Sequence, residues 1–405
     1  MAQEFDVIVV GGGPAGATAS GLLAKWGWRV LVLEKEKFPR YHIGESLVPG
    51  CMPILEDLGV KEAVEATGAT RKYGISFLWG ADPEPWSVDF DEVCPHPYAF
   101  EVKRAEFDSL LLSNSRRLGA TVLEEAPVRD FLFEDGRCVG VRYGRDGATE
   151  ARARFVIDAS GQAKLLAREF GTVGWHDDLK NLATWTYFQG GTRLPGRRSG
   201  DIVVETLHPG WLWLIPFTDG TCSVGFVAPA EEYKATGLAP EEVLRRRIGE
   251  SVVTRGLLEG AVEAAQPRTA KDWSYTNERF GGPGFLLTGD AAAFIDPLFS
   301  TGVMLAMKGA STAARTVNAI LERPGEEEGL RARYETSYRD FLDVVLSFVR
   351  FFYDPSREVI EYFEAAKKLV DPDEALAARQ DFVMLISGTY GIEPVMEGVP
   401  AAPNS

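Results

Sequence analysis

Residues 5–10 form a short apolar run rich in β-branched side chains that stops at three glycines; small residues fill positions 15–24, and a second apolar run covers 30–33. That pattern predicts strand, helix, strand. Residues 75–103 alternate Trp and Phe with Pro and acidic residues, and residues 182–228 contain several apolar runs separated by Gly and Pro turns. Both stretches predict an antiparallel sheet inserted into the first domain. Two later runs, 155–161 and 285–290, each end in a small-residue turn and are expected to return to the first sheet. From about Leu330 the pattern turns helical, through 341–353 and 365–385, and the Pro- and Ala-rich tail at 391–405 is expected to be disordered. The helix at 341–353 is apolar on most sides, which suits either a helix buried against the first domain or part of a substrate or carrier surface.

Composition narrows the class. With 405 residues and 45% hydrophobic content the chain can bury a large core. Its 59 acidic against 43 basic side chains give a formal net charge of -16, which disfavours nucleic acid as a partner. Cys51, Cys94, Cys138 and Cys222 are scattered, without a C-x-x-C pair or a His cluster, so neither a disulfide framework nor a metal site is expected. The start of the chain lacks a basic, then apolar, leader pattern, and nowhere does an apolar stretch approach the roughly 20 residues that span a bilayer. A cytoplasmic protein without a membrane anchor is expected.

Gly11, Gly13 and Gly16 form G-x-G-x-x-G at the end of the first predicted strand, with Glu34 closing the second. The first glycine permits a tight turn, the second lets backbone N–H groups approach a pyrophosphate, and the third lets the helix pack on the sheet. An acidic residue at Glu34 suits ribose hydroxyls. Dinucleotide binding follows from strand, helix and carboxylate falling together.

The glycine fingerprint, the Asp158-Ala159-Ser160-Gly161 turn, and Gly289-Asp290 with Pro297 beyond it resemble flavoproteins of the hydroxybenzoate-hydroxylase type. The resemblance implies an α/β FAD-binding fold with an inserted, mostly antiparallel sheet and a C-terminal helical segment. It would divide the chain into a discontinuous FAD-binding domain (1–74, 104–170 and 280–328), a substrate-side sheet domain (75–103 and 171–279) and a helical segment (329–390). It also implies FAD contacts from Gly11, Gly13, Pro14, Ala15, Gly16, Glu34, Lys35, Arg40, Arg104, Asp158, Gly161, Asp290, Pro297 and Gly302.

Three further stretches resemble the flavin-dependent halogenases. Trp211-Leu212-Trp213-Leu214-Ile215-Pro216 fits W-x-W-x-I-P, and alternation along a strand puts both indoles on one face as a rigid wall. Residues 294–302, FIDPLFSTG, fit F-x-x-P-x-x-S-x-G, where Ser300, Thr301 and Gly302 would bind halide through a close-approaching backbone. Lys72, in Thr70-Arg71-Lys72-Tyr73-Gly74, matches the family's catalytic lysine. Without the resemblance it reads as an exposed loop charge; held in an apolar pocket, its amine would be deprotonated more easily. Glu45 would position the oxidant or accept a proton.

The resemblance implies FAD supplied as FADH2 by a separate flavin reductase, chloride or bromide as co-substrate, and a small aromatic substrate. Ile43-Gly44-Glu45-Ser46-Leu47, Glu84-Pro85-Trp86 and Phe352-Tyr353-Asp354 are similar to the branch acting on phenols or pyrroles held on acyl or peptidyl carrier proteins. Phe299 stands where tryptophan halogenases carry a glutamate, which argues against a free indole substrate. Arg193, Arg197 and Arg198 are candidates for docking an acidic carrier, although a solvated loop explains them as well. An aromatic monooxygenase or a geranylgeranyl-reductase-like flavoprotein remains the alternative.

Overall fold

A computed structural model of the chain describes residues 3–81, 84–370 and 377–390. The tail 391–405, expected to be disordered, lies outside the described residues, as does part of the helical stretch expected at 365–385. The first apolar runs form a parallel core: Gln3–Val10 lies between Val30–Leu33 and Thr149–Asp158, and Phe285–Leu287 and Thr121–Leu123 extend the sheet on either side. Val7, Ile8, Val9, Leu31 and Val32 are fully buried. Continuous apolar runs are what strands covered on both faces require. Helices Pro14–Lys25, Arg104–Arg117 and Gly302–Glu322 pack together on this sheet.

The second sheet has nine strands and is mostly antiparallel. Its centre is the 17-residue strand Val173–Gln189, paired with Thr221–Pro229 on one side and Arg268–Asn277 on the other. Gly210–Pro216, Ile202–Leu207, Gly74–Leu78 and Trp86–Asp89 follow in order. Ala293–Phe294 also joins this sheet, so segment 280–328 is shared between the two sheets. Thr70–Lys72 and Ala99–Glu101 make a separate two-stranded sheet.

The helices Glu327–Phe352, Val359–Val370 and Ala378–Ile386 close one end of the second sheet. Phe352 stacks on Trp79 at 5.0 Å, Phe77 on Trp86 at 4.4 Å, and Phe382 packs against both Phe352 and Trp86. Each ring buried in this way contributes about 1.5–3 kcal/mol. The long helix buries Phe341, Val345, Phe348 and Val349 and is therefore core. Among the described residues, no helix is long and apolar enough to cross a membrane, and no three His, Cys, Asp or Glu residues are grouped to hold a metal ion.

Candidate active site

The glycine turn is built for close approach. Gly11 has φ +102°, and a Cβ on Gly16 would stand 1.9 Å from the Gly11 carbonyl oxygen. A Cβ on Gly13 would meet only the Arg40 guanidinium, at 3.4 Å. Gly13 caps the helix Pro14–Lys25 without a side-chain hydrogen bond, so no capping side chain covers the helix's first N–H groups. Glu34, buried, accepts from the backbone N–H of Gly12 (2.7 Å) and Glu36 (2.8 Å), which sets its carboxylate against the turn. Lys35, next along, is exposed.

Arg40 and Arg104 share Asp108, through bonds of 2.8 Å each, and Arg104 also donates to the carbonyls of Ile43 and Gly44. Asp290 lies beside Arg104 and Lys164, and burial pushes its carboxyl up to about 6 against those two charges. A dinucleotide with anionic phosphates and a ribityl chain fits this set of donors and carboxylates. Asp158 is held in the same way as Glu34. Its two oxygens accept from the N–H groups of Ser160 and Leu166, so it holds the turn at Gly161 together and starts the next helix.

Residues 43–47 join that cradle to the rest of the site. Glu45 is buried and accepts from the Tyr187 hydroxyl at 2.7 Å. Burial pushes its carboxyl up to about 7, opposed by the Tyr187 and Ser223 hydroxyls and by Arg104 and Lys103. Tyr187 is hydrogen-bonded to Tyr41, which accepts from the Trp185 indole at 2.6 Å. Ser46, the next residue, faces Lys72. Lys72 is 0% exposed; its Nζ donates to Ser46 Oγ (2.8 Å) and to the Leu47 carbonyl (3.2 Å), and lies 5.6 Å from the centre of the Phe90 ring. Burial lowers its ammonium pKa, while Glu101 and Asp201 oppose that shift.

Trp211 and Trp213 share a face, with ring centres 6.0 Å apart, while Leu212 and Leu214 between and beyond them pack into two other clusters. Trp185 extends the indole row 6.4 Å from Trp213. Gly225, opposite Trp213, leaves the room: a Cβ there would stand 2.3 Å from the indole. Trp213 donates to Ser223 at 3.2 Å and Trp211 to the Tyr353 hydroxyl at 2.9 Å. Tyr353 in turn donates to Asp296, inside the FIDPLFSTG stretch, at 2.9 Å. Burial raises the Asp296 carboxyl to about 7.

Within that stretch, Ser300 adopts φ +59°, uncommon for a residue with a side chain, and its N–H donates to Pro297 O. The Ser300 amide is thereby spent within the turn. Thr301 caps the 21-residue helix Gly302–Glu322; it is 1% exposed and its hydroxyl has no hydrogen-bond partner. A buried hydroxyl without a partner at a helix start is an unsatisfied polar group in the interior. Phe299 stacks on Phe348 at 5.4 Å. The candidate docking arginines are largely engaged: Arg197 pairs with Asp91, Arg198 with Asp89, and Arg193 donates to Phe217 O.

Ser46, Tyr187, Tyr353, Asp296 and Glu101 were not singled out as site residues from sequence. Ser46, Tyr353 and Asp296 lie within stretches the resemblance marked, and that was their available signal; Tyr187 and Glu101 come from separate strands.

A family model described as FAD binding domain matches residues 4–348. The chain is 38% identical over 376 residues to a tryptophan 2-halogenase of Chondromyces crocatus, covering 91% of this chain and 72% of that protein. It is 31% identical over 382 residues to a 1H-pyrrole-2-carbonyl (peptidyl-carrier protein) chlorinase of Pseudomonas fluorescens, covering 87% and 84%. The structure of the myxobacterial chondrochloren halogenase superposes with a TM-score of 0.84 at 38% identity, over 95% of this chain and 90% of that one. The chain thus belongs to the FAD-binding domain family and, within it, to the flavin-dependent halogenases, oxidoreductases whose general reaction is halogenation of an aromatic ring.

Proposed function

We propose that this enzyme chlorinates or brominates an electron-rich ring, a phenol or pyrrole, with Lys72 delivering the halogen. The observation that carries the reading is the burial of Lys72 at the segment 43–47, which also touches the cofactor cradle and, through Glu45, the tryptophan face. Bound FAD, delivered reduced by a separate reductase, would supply the electrons with which oxygen converts halide to hypohalous acid. Gly11–Gly16 and Arg40 would hold its pyrophosphate, Glu34 a ribose, and Arg104 and Asp290 the chain beyond it. The Thr301 hydroxyl and the first amides of the helix it caps would hold the halide. Trp211 and Trp213 would keep the ring from the flavin, so that oxygen is not transferred to it directly, as a monooxygenase requires. Glu45, whose carboxyl burial pushes up to about 7, can give or take a proton.

The pyrrole chlorinase similarity and the similarity of residues 352–354 support a ring carried on a carrier protein. Docking would make delivery intramolecular.

Enzyme given reduced FAD, oxygen, halide and matched free and carrier-bound phenols and pyrroles should yield products heavier by halogen rather than by oxygen. Lys72→Ala should retain FAD yet lose ring halogenation, and Lys72→Arg should not restore it, because a guanidinium is not deprotonated. Undiminished product from Lys72→Ala would refute the role of the lysine.

A further inference from the structure

Among the described residues no carboxylate touches Lys72 directly; the Ser46 hydroxyl stands between it and Glu101. Nζ donates to Ser46 Oγ at 2.8 Å, and Ser46 Oγ donates to Glu101 Oε1 at 3.1 Å. A hydroxyl that accepts on one side and donates on the other can reverse both bonds, so a proton can cross from Nζ to Oε1 while the heavy atoms stay in place. Pairing of Thr70–Lys72 with Ala99–Glu101, with Ser46 bridged to Glu101, holds the three side chains together. Glu101 is 0% exposed, and its Oε2 has no hydrogen-bond partner. A cavity of about 210 Å³ lies beside it, lined also by Thr70, Lys103, Phe217 and Asp219, but Glu101 exposes no surface to it.

We propose that Glu101, acting through the Ser46 hydroxyl, is the positioning residue that sets the protonation state of Lys72. The proposal rests on the reading of Lys72 as the residue that delivers halogen. In the transfer an N–H bond of the ammonium breaks, serine takes that proton and releases its own, and an O–H bond forms on Glu101. Ammonium and carboxylate become amine and acid with no change in total charge. Burial favours that neutral pair: it pushes the Glu101 carboxyl up to about 8 and the Lys72 ammonium down, while each ion opposes the shift of the other. The other groups facing them are Asp201, which acts on both, Glu45 beside Glu101 and Cys51 beside Lys72. Lys103, Glu106 and Asp219 line the cavity.

Glu101→Gln keeps the side-chain shape and removes the charge that favours the ammonium, so Lys72 should titrate at lower pH. The flavin-loaded enzyme carrying lysine labelled at 13Cε reads this by NMR, with the Lys72 signal assigned by its loss in Lys72→Ala. The pH limb of ring halogenation that follows Lys72 should move in the same direction by the same amount. Ser46→Ala should lower halogenation at least about tenfold, and Ser46→Thr, which keeps a hydroxyl, should restore it. Retained FAD is the control for folding. A Lys72 signal that titrates alike in wild type and Glu101→Gln, or wild-type turnover by Ser46→Ala, would overturn the proposal. The NMR shift does not depend on what Lys72 does in catalysis, so full halogenation by Lys72→Ala would sink the lysine reading while leaving the coupling intact.

Discussion

Replacing Tyr353 by Phe removes one oxygen from the junction between the C-terminal helices, the tryptophan face and the FIDPLFSTG stretch. That oxygen accepts from Trp211 Nε1 at 2.9 Å and from Asn181 Nδ2 at 3.3 Å, and its proton goes to Asp296 Oδ2 at 2.9 Å. Trp211 is 1% exposed, so its indole N–H would be left in a dry interior, which costs about 1–3 kcal/mol. Asp296 would also lose a donor to its charged form, and with it part of a bond worth about 1.5–3 kcal/mol when fully ionised. Because burial raises the carboxyl, only part of that second cost applies at neutral pH. A total of about 2–4 kcal/mol is expected. Loss of the donor should also drive the Asp296 carboxyl further up, since hydrogen bonds to the ionised form are what hold it down. Urea unfolding at fixed FAD concentration measures the cost, because bound cofactor itself moves the midpoint. Trp211→Phe and the double variant complete a cycle in which a coupling of about 1–2 kcal/mol is expected. A loss below about 0.5 kcal/mol, with additive single effects, would show that the tyrosine does not tie the helix to the tryptophan face.

Gly13→Val should fold with unchanged helix content, since its Cβ meets only Arg40, but should lose the visible flavin spectrum on gel filtration; retained flavin would mean the cradle lies elsewhere. Thr301→Val removes a hydroxyl without a hydrogen-bond partner among the described residues, so stability should hold or rise slightly while the halide KM rises about tenfold, and an unchanged halide KM would separate Thr301 from halide binding. Glu45 moves from 4.5 to about 7 on folding, so its contribution is fully present below about pH 4.5 and is lost as pH rises through about 7, a loss of up to about 3 kcal/mol. Glu45→Gln should accordingly flatten the decline in stability between about pH 5 and pH 8, and an identical decline in the variant would show that Glu45 does not titrate there.

Local signals in the chain reached far into the fold. The glycine turn, the β-branched runs on either side and Glu34 are close in sequence, and each is placed by backbone sterics and by the need to bury apolar strands; the parallel core follows from them. The two tryptophans share a face because strand residues alternate, whatever the strand's partners. Helix burial at 341–353 was likewise legible, since a helix apolar on most sides has to be covered. What the local pattern could not supply was partnership. Asp158 and Glu34 both read as cofactor carboxylates, and the sequence did not show that both oxygens of each also accept from backbone amides. Arg197 and Arg198 read as free charge, yet pair with Asp91 and Asp89 more than a hundred residues away.

Lys72 marks the division most clearly. Its identity and motif are written in the chain, but an isolated lysine beside Arg71 is by default a solvated one. Only the assembled structure puts Phe90 over it, Ser46 against it and Glu101 beyond, and removes all of its surface from water. The physical reason is the range of the two effects. Backbone conformation and hydrophobic periodicity are set by neighbours within a few residues, whereas desolvation and hydrogen-bond pairing depend on which distant segments meet, and those determine how a lysine holds its proton.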